Sequence, residues 1–191
     1  MVDTTVVGVC GSLRDASVSR IALRRALDAA ADRGAETDLV DLRNLDLPLY
    51  DPDHDEPGDA AELTRRVRAA DAVVLATPMY HGSYSSPLKT ALDYCGFDEF
   101  EGKTVGLLAV AGGSFPITAL EHLRSVLRAL DAWVLPYQAA VPNASSRVSN
   151  GEFTDEKLED RVAQLGDRVV QYANIEPDPH SFESEQNVGG D

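Results

Sequence analysis

A serine-rich segment with two arginines, residues 11–20 (GSLRDASVSR), carries the clearest chemical pattern in the sequence. It follows an apolar run at residues 4–10 (TTVVGVC) and leads into a helical pattern at residues 21–27 (IALRRAL). The first turn of a helix attracts anions, because its N–H groups lack partners and the helix dipole is positive there. Serine hydroxyls and the planar guanidinium of Arg14 add donors that suit phosphate oxygens. The segment therefore predicts a site for a phosphate monoester.

Two better-known phosphate motifs do not fit this segment. No Gly-Lys-Ser/Thr sequence closes it, as a Walker loop requires. Gly8 and Gly11 are three residues apart and no third glycine opens the helix, which argues against the dinucleotide fingerprint. A simpler interpretation stays open at this point, namely a polar turn in which Ser17 or Ser19 only caps the helix.

Two later loops combine glycine, aromatic and hydroxyl residues. Residues 78–86 (PMYHGSYSS) follow an apolar run, and residues 111–116 (AGGSFP) follow another. Glycine lets backbone N–H groups approach a flat ring and stabilise its reduced, negatively charged form. With the phosphate segment, these loops predict that the ligand is a flavin mononucleotide, FMN.

The aromatic and sulfur side chains of the second loop have two interpretations each. Met79, Tyr80 and Tyr84 are expected to pack on the ring, with core packing for Met79 and a subunit contact for Tyr84 as alternatives. His81 is expected to offer its backbone to the ligand. Hydride transfer from nicotinamide to flavin needs no protein acid or base, so we assign no catalytic side chain. The two cysteines, Cys10 and Cys95, match no metal or redox spacing, so we assign no metal site.

Five strand-like runs alternate with five helical patterns. The expected strands are residues 4–10, 36–42, 71–77, 103–110 and 133–135, with an extension of the last to 141 left open. The expected helices are residues 19–33, 60–70, 87–95, 117–130 and 154–173, with Thr154 as the N-cap of the last. This α/β alternation predicts a flavodoxin-like three-layer sandwich with a five-stranded parallel sheet in the order 2-1-3-4-5. In that order the loops after strands one, three and four meet at one crevice.

Length and charge bound the function further. The 191 residues suit one domain, expected over residues 1–175, followed by an acidic and mobile tail at 176–191. No long apolar run or signal peptide is visible, so we expect a cytoplasmic protein with no membrane span. The net charge of −15 opposes nucleic acid and anionic membranes, and a high-salt cytoplasm is one hypothesis for it. The arginines of residues 14–25 are expected to attract anions locally, with a solvated helix face as the alternative for Arg24 and Arg25.

The loops also resemble those of a known family. Residues 11–19 (GSLRDASVS) resemble the GSxRxxSxS/N phosphate loop of NADPH-dependent FMN reductases, and residues 77–93 (TPMYHGSYSSPLKTALD) resemble the family motif TPxYxxSYSGxLKxxLD. Residues 111–114 resemble its third loop, and the similarity extends over about residues 6–141. Tyr84-Ser85 and Leu88-Lys89-Thr90 are similar to the corresponding residues of the branch that supplies reduced flavin to two-component sulfonate monooxygenases, whereas Ser86-Pro87 departs from the usual Gly-Ala or Pro-Gly of the family. At residues 79–81 many relatives have Glu-Tyr-Asn, which argues against transferring a quinone, azo-dye or chromate reductase role.

The resemblance implies a flavodoxin-like fold, FMN, reduction by NADPH or NADH, and a homodimer or homotetramer. The cofactor-binding residues assigned on this basis are Ser12, Arg14, Ser17, Val18 and Ser19 at the phosphate, Pro78, Met79, Tyr80, His81, Gly82 and Ser83 along the ring and ribityl chain, and Gly112, Gly113 and Ser114 at the other ring edge. The predicted function is an NAD(P)H-dependent FMN reductase that passes electrons to a second acceptor, such as a flavin-dependent monooxygenase or a quinone. A flavodoxin-type electron carrier without nicotinamide activity and a phosphate-binding module without flavin stay open as alternatives.

Overall fold

A parallel five-stranded sheet forms the centre of the computed structural model, which describes residues 4–54 and 57–175. The strands are β1 (Thr5–Cys10), β2 (Glu36–Asp41), β3 (Ala72–Pro78), β4 (Thr104–Val110) and β5 (Trp133–Val141), and their order in the sheet is β2-β1-β3-β4-β5. The predicted flavodoxin-like topology is therefore confirmed. The tail expected at residues 176–191 lies outside the described residues.

Helices cover both faces of this sheet and complete the three layers. They are α1 (Val18–Asp32), α2 (Ala60–Ala69), α3 (Ser86–Asp93), α4 (Phe97–Phe100), α5 (Ile117–Ala129) and α6 (Glu156–Gln171). Residues of α1 and α6 pack with one face of the sheet, and residues of α2, α3 and α5 pack with the other. Among the described residues, no helix is long and apolar enough to cross a membrane.

The burial of each strand explains its place in the sheet. Strands β3 and β4 are buried along their whole length, and only the first residue of β1 is partly exposed. Runs that are apolar at successive positions suit strands covered on both faces. Strand β2 has polar or acidic residues at four of its six positions, is buried only at Val40 and lies at the edge of the sheet, the less buried place expected for it.

Helices α1 and α6 cross at unusually close range. A Cβ atom on Gly166 of α6 would overlap the carbonyl oxygen of Ala26 in α1. Ala26 and Ala30 are fully buried in the same layer, next to Leu165 and Val169. Small residues at the crossing therefore bring the two helix backbones together and fix the position of α1.

The cap of α6 and the presence of α4 differ from the expectations. Thr154 is not the N-cap of α6, because its hydroxyl donates to the carbonyl of Ser146 at 2.9 Å. The Asp155 carboxylate accepts from Leu158 N at 3.2 Å and caps the helix instead. Helix α4 was not predicted, since four residues are too short to show a helical period. The open extension of β5 to Val141 is present.

Candidate functional site

A cleft of about 290 Å³ lies at the carboxyl ends of the strands, where the loops after β1, β3, β4 and β5 meet. Its lining residues are Ser12, Arg14, Ala16, Ser17, Val18, Ser19, Pro78, Met79, Tyr80, Val110, Ala111, Gly112, Ala144 and Ser145. Loops that are far apart in the sequence are thus brought to one place by the parallel strand order, as expected for a ligand crevice in such a sheet.

Some of the residues assigned from the sequence lie beside the cleft and do not line it. These are His81, Gly82, Ser83, Gly113 and Ser114. The first three form a turn next to Tyr80, and the last two are exposed in the loop after β4.

The loop after β5 also belongs to the cleft and was not predicted. Ala144 and Ser145 line the cleft there, because Asn143 N donates to Gly113 O at 2.9 Å and Ala144 N donates to Ala111 O at 3.0 Å. These two bonds attach the fourth loop to the third. Extending β5 to residue 141 would have placed this loop at the same edge of the sheet, so a signal for it existed.

The phosphate segment combines a helix cap with free donors. Ser17 is the N-cap of α1, and its hydroxyl oxygen accepts from Arg20 N at 3.1 Å. The N–H groups of Val18 and Ser19 have no hydrogen-bond partner within the described residues. Ser12 and Ser19 are each only 2% exposed. The capping interpretation is therefore correct for Ser17, and the cap still leaves two N–H groups at the helix start.

Two of the arginines at residues 14–25 are neutralised by the fold. Arg20 Nε lies 2.6 Å from Asp41 Oδ2, and Arg25 Nε lies 2.8 Å from Glu159 Oε1. The expectation that the whole group attracts anions is therefore wrong for these two. Arg14 and Arg24 are exposed and have no ion-pair partner in the described part of the chain. Of the two, only Arg14 lines the cleft.

A tight turn presents backbone groups beside the cleft. Tyr80 N donates to Ser83 O at 2.9 Å and Ser83 N donates to Tyr80 O at 3.1 Å. Between them His81 and Gly82 have φ angles of 50° and 80°, the signature of a type I′ turn. No residue within ranges 4–54 and 57–175 accepts from their N–H groups. His81 is exposed, and its free N–H lies in a turn beside the cleft.

Helix α5 supports this turn from the outside. The Ser83 hydroxyl lies 3.0 Å from His122 Nδ1, and the Thr118 hydroxyl donates to Met79 Sδ at 3.5 Å. Met79 N donates to Val110 O at 2.7 Å, which ties the loop after β3 to the last residue of β4. The apolar wall of the cleft is thus fixed from two sides.

Two titratable side chains near the cleft are held neutral. Burial raises the pKa of the Cys10 thiol at the end of β1, and the nearby Asp41 carboxylate raises it further. Burial likewise raises the pKa of Tyr84, which packs against the apolar core and does not line the cleft. A neutral buried thiol is a poor nucleophile, so neither group is suited to covalent chemistry. The described residues contain no cluster of metal-ligating side chains.

The two ends of the cleft differ in chemistry in the way that a flavin mononucleotide does. One end has buried hydroxyls, unpaired N–H groups and Arg14, which suit a phosphate. The other has Pro78, Met79 and Val110, with space at Gly112, where an added Cβ would meet nothing within 4 Å. The residues present therefore fit FMN. When bound, FMN supplies the chemistry of accepting a hydride and passing electrons on.

Comparisons with known proteins agree with this chemistry. Residues 4–146 match the sequence profile of the family NADPH-dependent FMN reductase. The FMN-dependent NADPH-azoreductase of Staphylococcus aureus is 34% identical over 143 residues, which cover 73% of this chain and 76% of that protein.

Solved structures give the same result. FerB, a flavoenzyme NAD(P)H:(acceptor) oxidoreductase from Paracoccus denitrificans, has a TM-score of 0.74 and 26% identity, over 89% of this chain and 97% of FerB. The NADH:FMN oxidoreductase EMOB in its apo form shares the fold, with a TM-score of 0.73 and 19% identity over 98% of this chain and 100% of EMOB. The resemblance of the loop motifs is therefore confirmed: the chain belongs to the NADPH-dependent FMN reductase family and is an NAD(P)H-dependent flavin oxidoreductase.

Proposed function

We propose that this reductase binds FMN in the cleft at the carboxyl ends of the strands and passes electrons from NAD(P)H to a small organic acceptor. The observation that carries the proposal is the meeting of the phosphate segment and the two glycine-containing loops around a single cleft. The polar end of that cleft is the start of α1, and the apolar end lies between the loops after β3 and β4.

The phosphate of FMN binds at the start of α1. The N–H groups of Val18 and Ser19 donate to its oxygens, since no other acceptor in the described chain uses them. The hydroxyls of Ser12 and Ser17 also line this end, and Arg14 adds the one charged contact. The guanidinium is exposed, so it can turn towards the phosphate without breaking an ion pair.

The flavin ring lies against the loops after β3 and β4. Pro78 and Met79 contact it from one loop, and Gly112 lets the other loop approach, with Gly113 and Ser114 along the ring edge. The free N–H groups of His81 and Gly82 donate to the polar edge of the ring. Donors at that edge stabilise the negative charge of the reduced flavin. The protein thus positions and tunes the cofactor, and no side chain is required as an acid or a base.

The nicotinamide and the acceptor bind on the open side of the cleft. Tyr80 lines the cleft and is 51% exposed, and Phe115, in the loop after β4, is 77% exposed. Flat rings of the nicotinamide and of the acceptor pack well on such residues. The printed names of the relatives, an azoreductase and an NAD(P)H:(acceptor) oxidoreductase, support a small organic acceptor. Reduced flavin delivered to a monooxygenase, as the resemblance of Tyr84-Ser85 and Leu88-Lys89-Thr90 implies, would use the same reduction of flavin by the nicotinamide.

We propose further that residues 1–175 form the reductase domain and that the enzyme is a cytoplasmic homodimer or homotetramer. An exposed apolar groove beside the phosphate segment supports the oligomer, because Leu13, Leu47 and Leu49 line it and Leu49 is 82% exposed. The two free cysteines and the nicotinamide substrate support a reducing compartment. Light scattering on the purified protein tests the oligomer, and a monomer at micromolar concentration contradicts it.

The high-salt hypothesis has a separate test. A net charge of −15 repels itself at low ionic strength, and salt screens this repulsion. The thermal midpoint should therefore rise when molar KCl is added. Equal midpoints in dilute buffer and in KCl contradict the hypothesis and leave the assigned activity unaffected.

An anaerobic assay with defined flavins tests the binding mode. Purified enzyme is mixed with NADPH or NADH and with FMN, FAD or riboflavin, and flavin bleaching is followed by absorbance. Arg14→Ala should weaken the binding of FMN by about 1.5–3 kcal/mol, the usual contribution of a hydrogen bond to a charged group. Riboflavin lacks the phosphate and should bind the variant and the wild type alike. Equal losses for both flavins contradict the phosphate site, and absence of bleaching with either nicotinamide contradicts the direction of electron flow.

A further inference from the structure

Arg20 of α1 is bonded to the phosphate segment from behind the cleft. Its Nη1 donates to the carbonyl of Asp15 at 3.0 Å, and its Nη2 donates to the carbonyl of Arg14 at 3.2 Å. Arg20 itself does not line the cleft. Two consecutive carbonyls of the segment are thus directed to a guanidinium outside the cleft, where they cannot oppose an anion inside it.

Asp41 at the end of β2 fixes the Arg20 guanidinium. Arg20 Nε donates to Asp41 Oδ2 at 2.6 Å, and Nη2 lies 3.4 Å from the other carboxylate oxygen. That oxygen also accepts from Arg43 N at 3.3 Å. The two side chains are largely buried, with exposures of 12% for Arg20 and 9% for Asp41. With two hydrogen bonds to Asp41 and two to the carbonyls of residues 14 and 15, the planar Arg20 guanidinium is held in one orientation.

Because the Asp41 carboxylate compensates the Arg20 charge, the pair adds little net field to the cleft. Its effect on a bound phosphate is therefore geometric. We propose that Arg20, oriented by Asp41, is a positioning residue that holds residues 14–15 so that Arg14 and the N–H groups at the start of α1 converge on the FMN phosphate. This inference rests on the proposed phosphate site.

Removing the pair as a unit separates geometry from charge. The double variant Arg20→Met/Asp41→Asn removes one positive and one negative charge, so the net charge of the chain is unchanged. Arg24→Met is the matched control, because Arg24 lies on the same helix, is exposed and has no ion-pair partner in the described chain. FMN and riboflavin are titrated by flavin fluorescence into full-length protein from which bound flavin has been dialysed, at several salt concentrations.

The double variant should bind FMN about tenfold or more weakly, the effect expected when a charge-assisted contact is misplaced. Its riboflavin affinity should stay within about twofold of the wild type, and the loss of FMN affinity should still be present in high salt, because no net charge was removed. Arg24→Met should retain both affinities within about twofold in high salt. A general loss of structure would reduce riboflavin binding as well, so the ratio of the two affinities reports positioning alone.

Three results would overturn the inference. The first is wild-type FMN affinity in the double variant, and the second is an equal loss of FMN and riboflavin. The third is full recovery of FMN binding in Arg20→Lys, which keeps the charge but not the fork. Failure of the phosphate site itself is recognised separately, since wild-type protein would then bind FMN and riboflavin equally well.

Discussion

The Ser85 hydroxyl donates a 2.7 Å hydrogen bond to the carbonyl of Gly11 and so joins the cap of α3 to the phosphate segment. Ser85 is fully enclosed, and its own N–H donates to the Thr77 hydroxyl at 2.9 Å. A Cβ on Gly11 would lie 2.7 Å from the Ser85 hydroxyl and 2.8 Å from Leu88 Cβ. This buried hydrogen bond therefore joins the loops after β1 and β3, beside the bond from Gly11 N to Ala76 O at 2.8 Å.

Replacing Ser85 should destabilise the protein, because Gly11 O would be left buried without its donor. We expect Ser85→Ala to lower the free energy of unfolding by about 1–3 kcal/mol. Urea unfolding followed by circular dichroism measures it. Ser86→Ala is the control, since Ser86 is the next residue and is exposed. This substitution should change the free energy of unfolding by no more than about 0.5 kcal/mol. If both variants unfold at the same urea concentration, the contact contributes nothing.

A substitution at Gly112 should lower the affinity for FMN without lowering the stability of the fold. An added Cβ there meets no protein atom within 4 Å, so Gly112→Val should leave the thermal midpoint nearly unchanged. If the flavin ring lies against this loop, the new side chain occupies the place of the ring. FMN should then bind about tenfold or more weakly, and a tenfold loss corresponds to about 1.4 kcal/mol of binding free energy. Thermal unfolding and flavin titration are compared on the same preparation. Unaltered FMN affinity would place the ring elsewhere.

Because α6 contacts α1 at Gly166, replacing this glycine by alanine should have the opposite effect on stability from the usual one. An alanine in the interior of a helix normally stabilises it by about 0.5–1 kcal/mol relative to glycine. Here the new methyl group would overlap Ala26 O, so Gly166→Ala should instead destabilise the protein by about 1–3 kcal/mol. Gln164→Ala, on the exposed side of α6, is the control and should have little effect. A higher melting temperature for Gly166→Ala would show that the helices are further apart.

An ion pair at the edge of the sheet predicts a pH dependence of stability. Arg66 of α2 donates to both carboxylate oxygens of Asp38 in β2, at 2.7 and 2.5 Å, and holds the pKa of Asp38 below its usual value. Since the folded pKa lies below the unfolded one, the stabilisation is present above the unfolded pKa, about 4, and is lost as the pH falls through the folded pKa.

The free energy of unfolding of Arg66→Met should therefore differ most from that of the wild type at neutral pH. The difference in unfolding free energy should shrink as the pH is lowered from about 5 to about 2, and it should be small throughout because Asp38 is 42% exposed. Urea titrations at each pH measure it, with Asp38→Asn as the matched variant. A difference that grows in acid would be opposite in sign to that expected for this pair.

The strand order and most of the cleft could be predicted from local patterns. Strands β1, β3 and β4 are apolar at nearly every position, whereas β2 is polar or acidic at four of six positions, and this distinguishes central from edge strands. Parallel strands place their following loops at one edge, so the convergence of the first three loops followed from topology. Ser17 as the cap of α1 was visible in the sequence as one of two candidates.

What the sequence did not give depends on contacts between distant residues. Asp155 caps α6, because the Thr154 hydroxyl donates to Ser146 O instead. Ala144 lines the cleft because its N–H donates a hydrogen bond to Ala111 O. Arg20 resembles Arg24 in the sequence, and only the position of Asp41 on β2 distinguishes a buried fork from an exposed charge. Each of these depends on pairings that no local pattern contains.

The small residues where α1 meets α6 have a consequence for how the cofactor is captured. A helix whose middle is seated on another helix cannot slide or tilt freely, so its first turn has the same direction before and after a ligand arrives. Little conformational entropy is then lost when the nucleotide binds, which raises the affinity of the site. The direction of the anion-binding turn is thus set by the packing of two helices far from the ligand, before any ligand arrives.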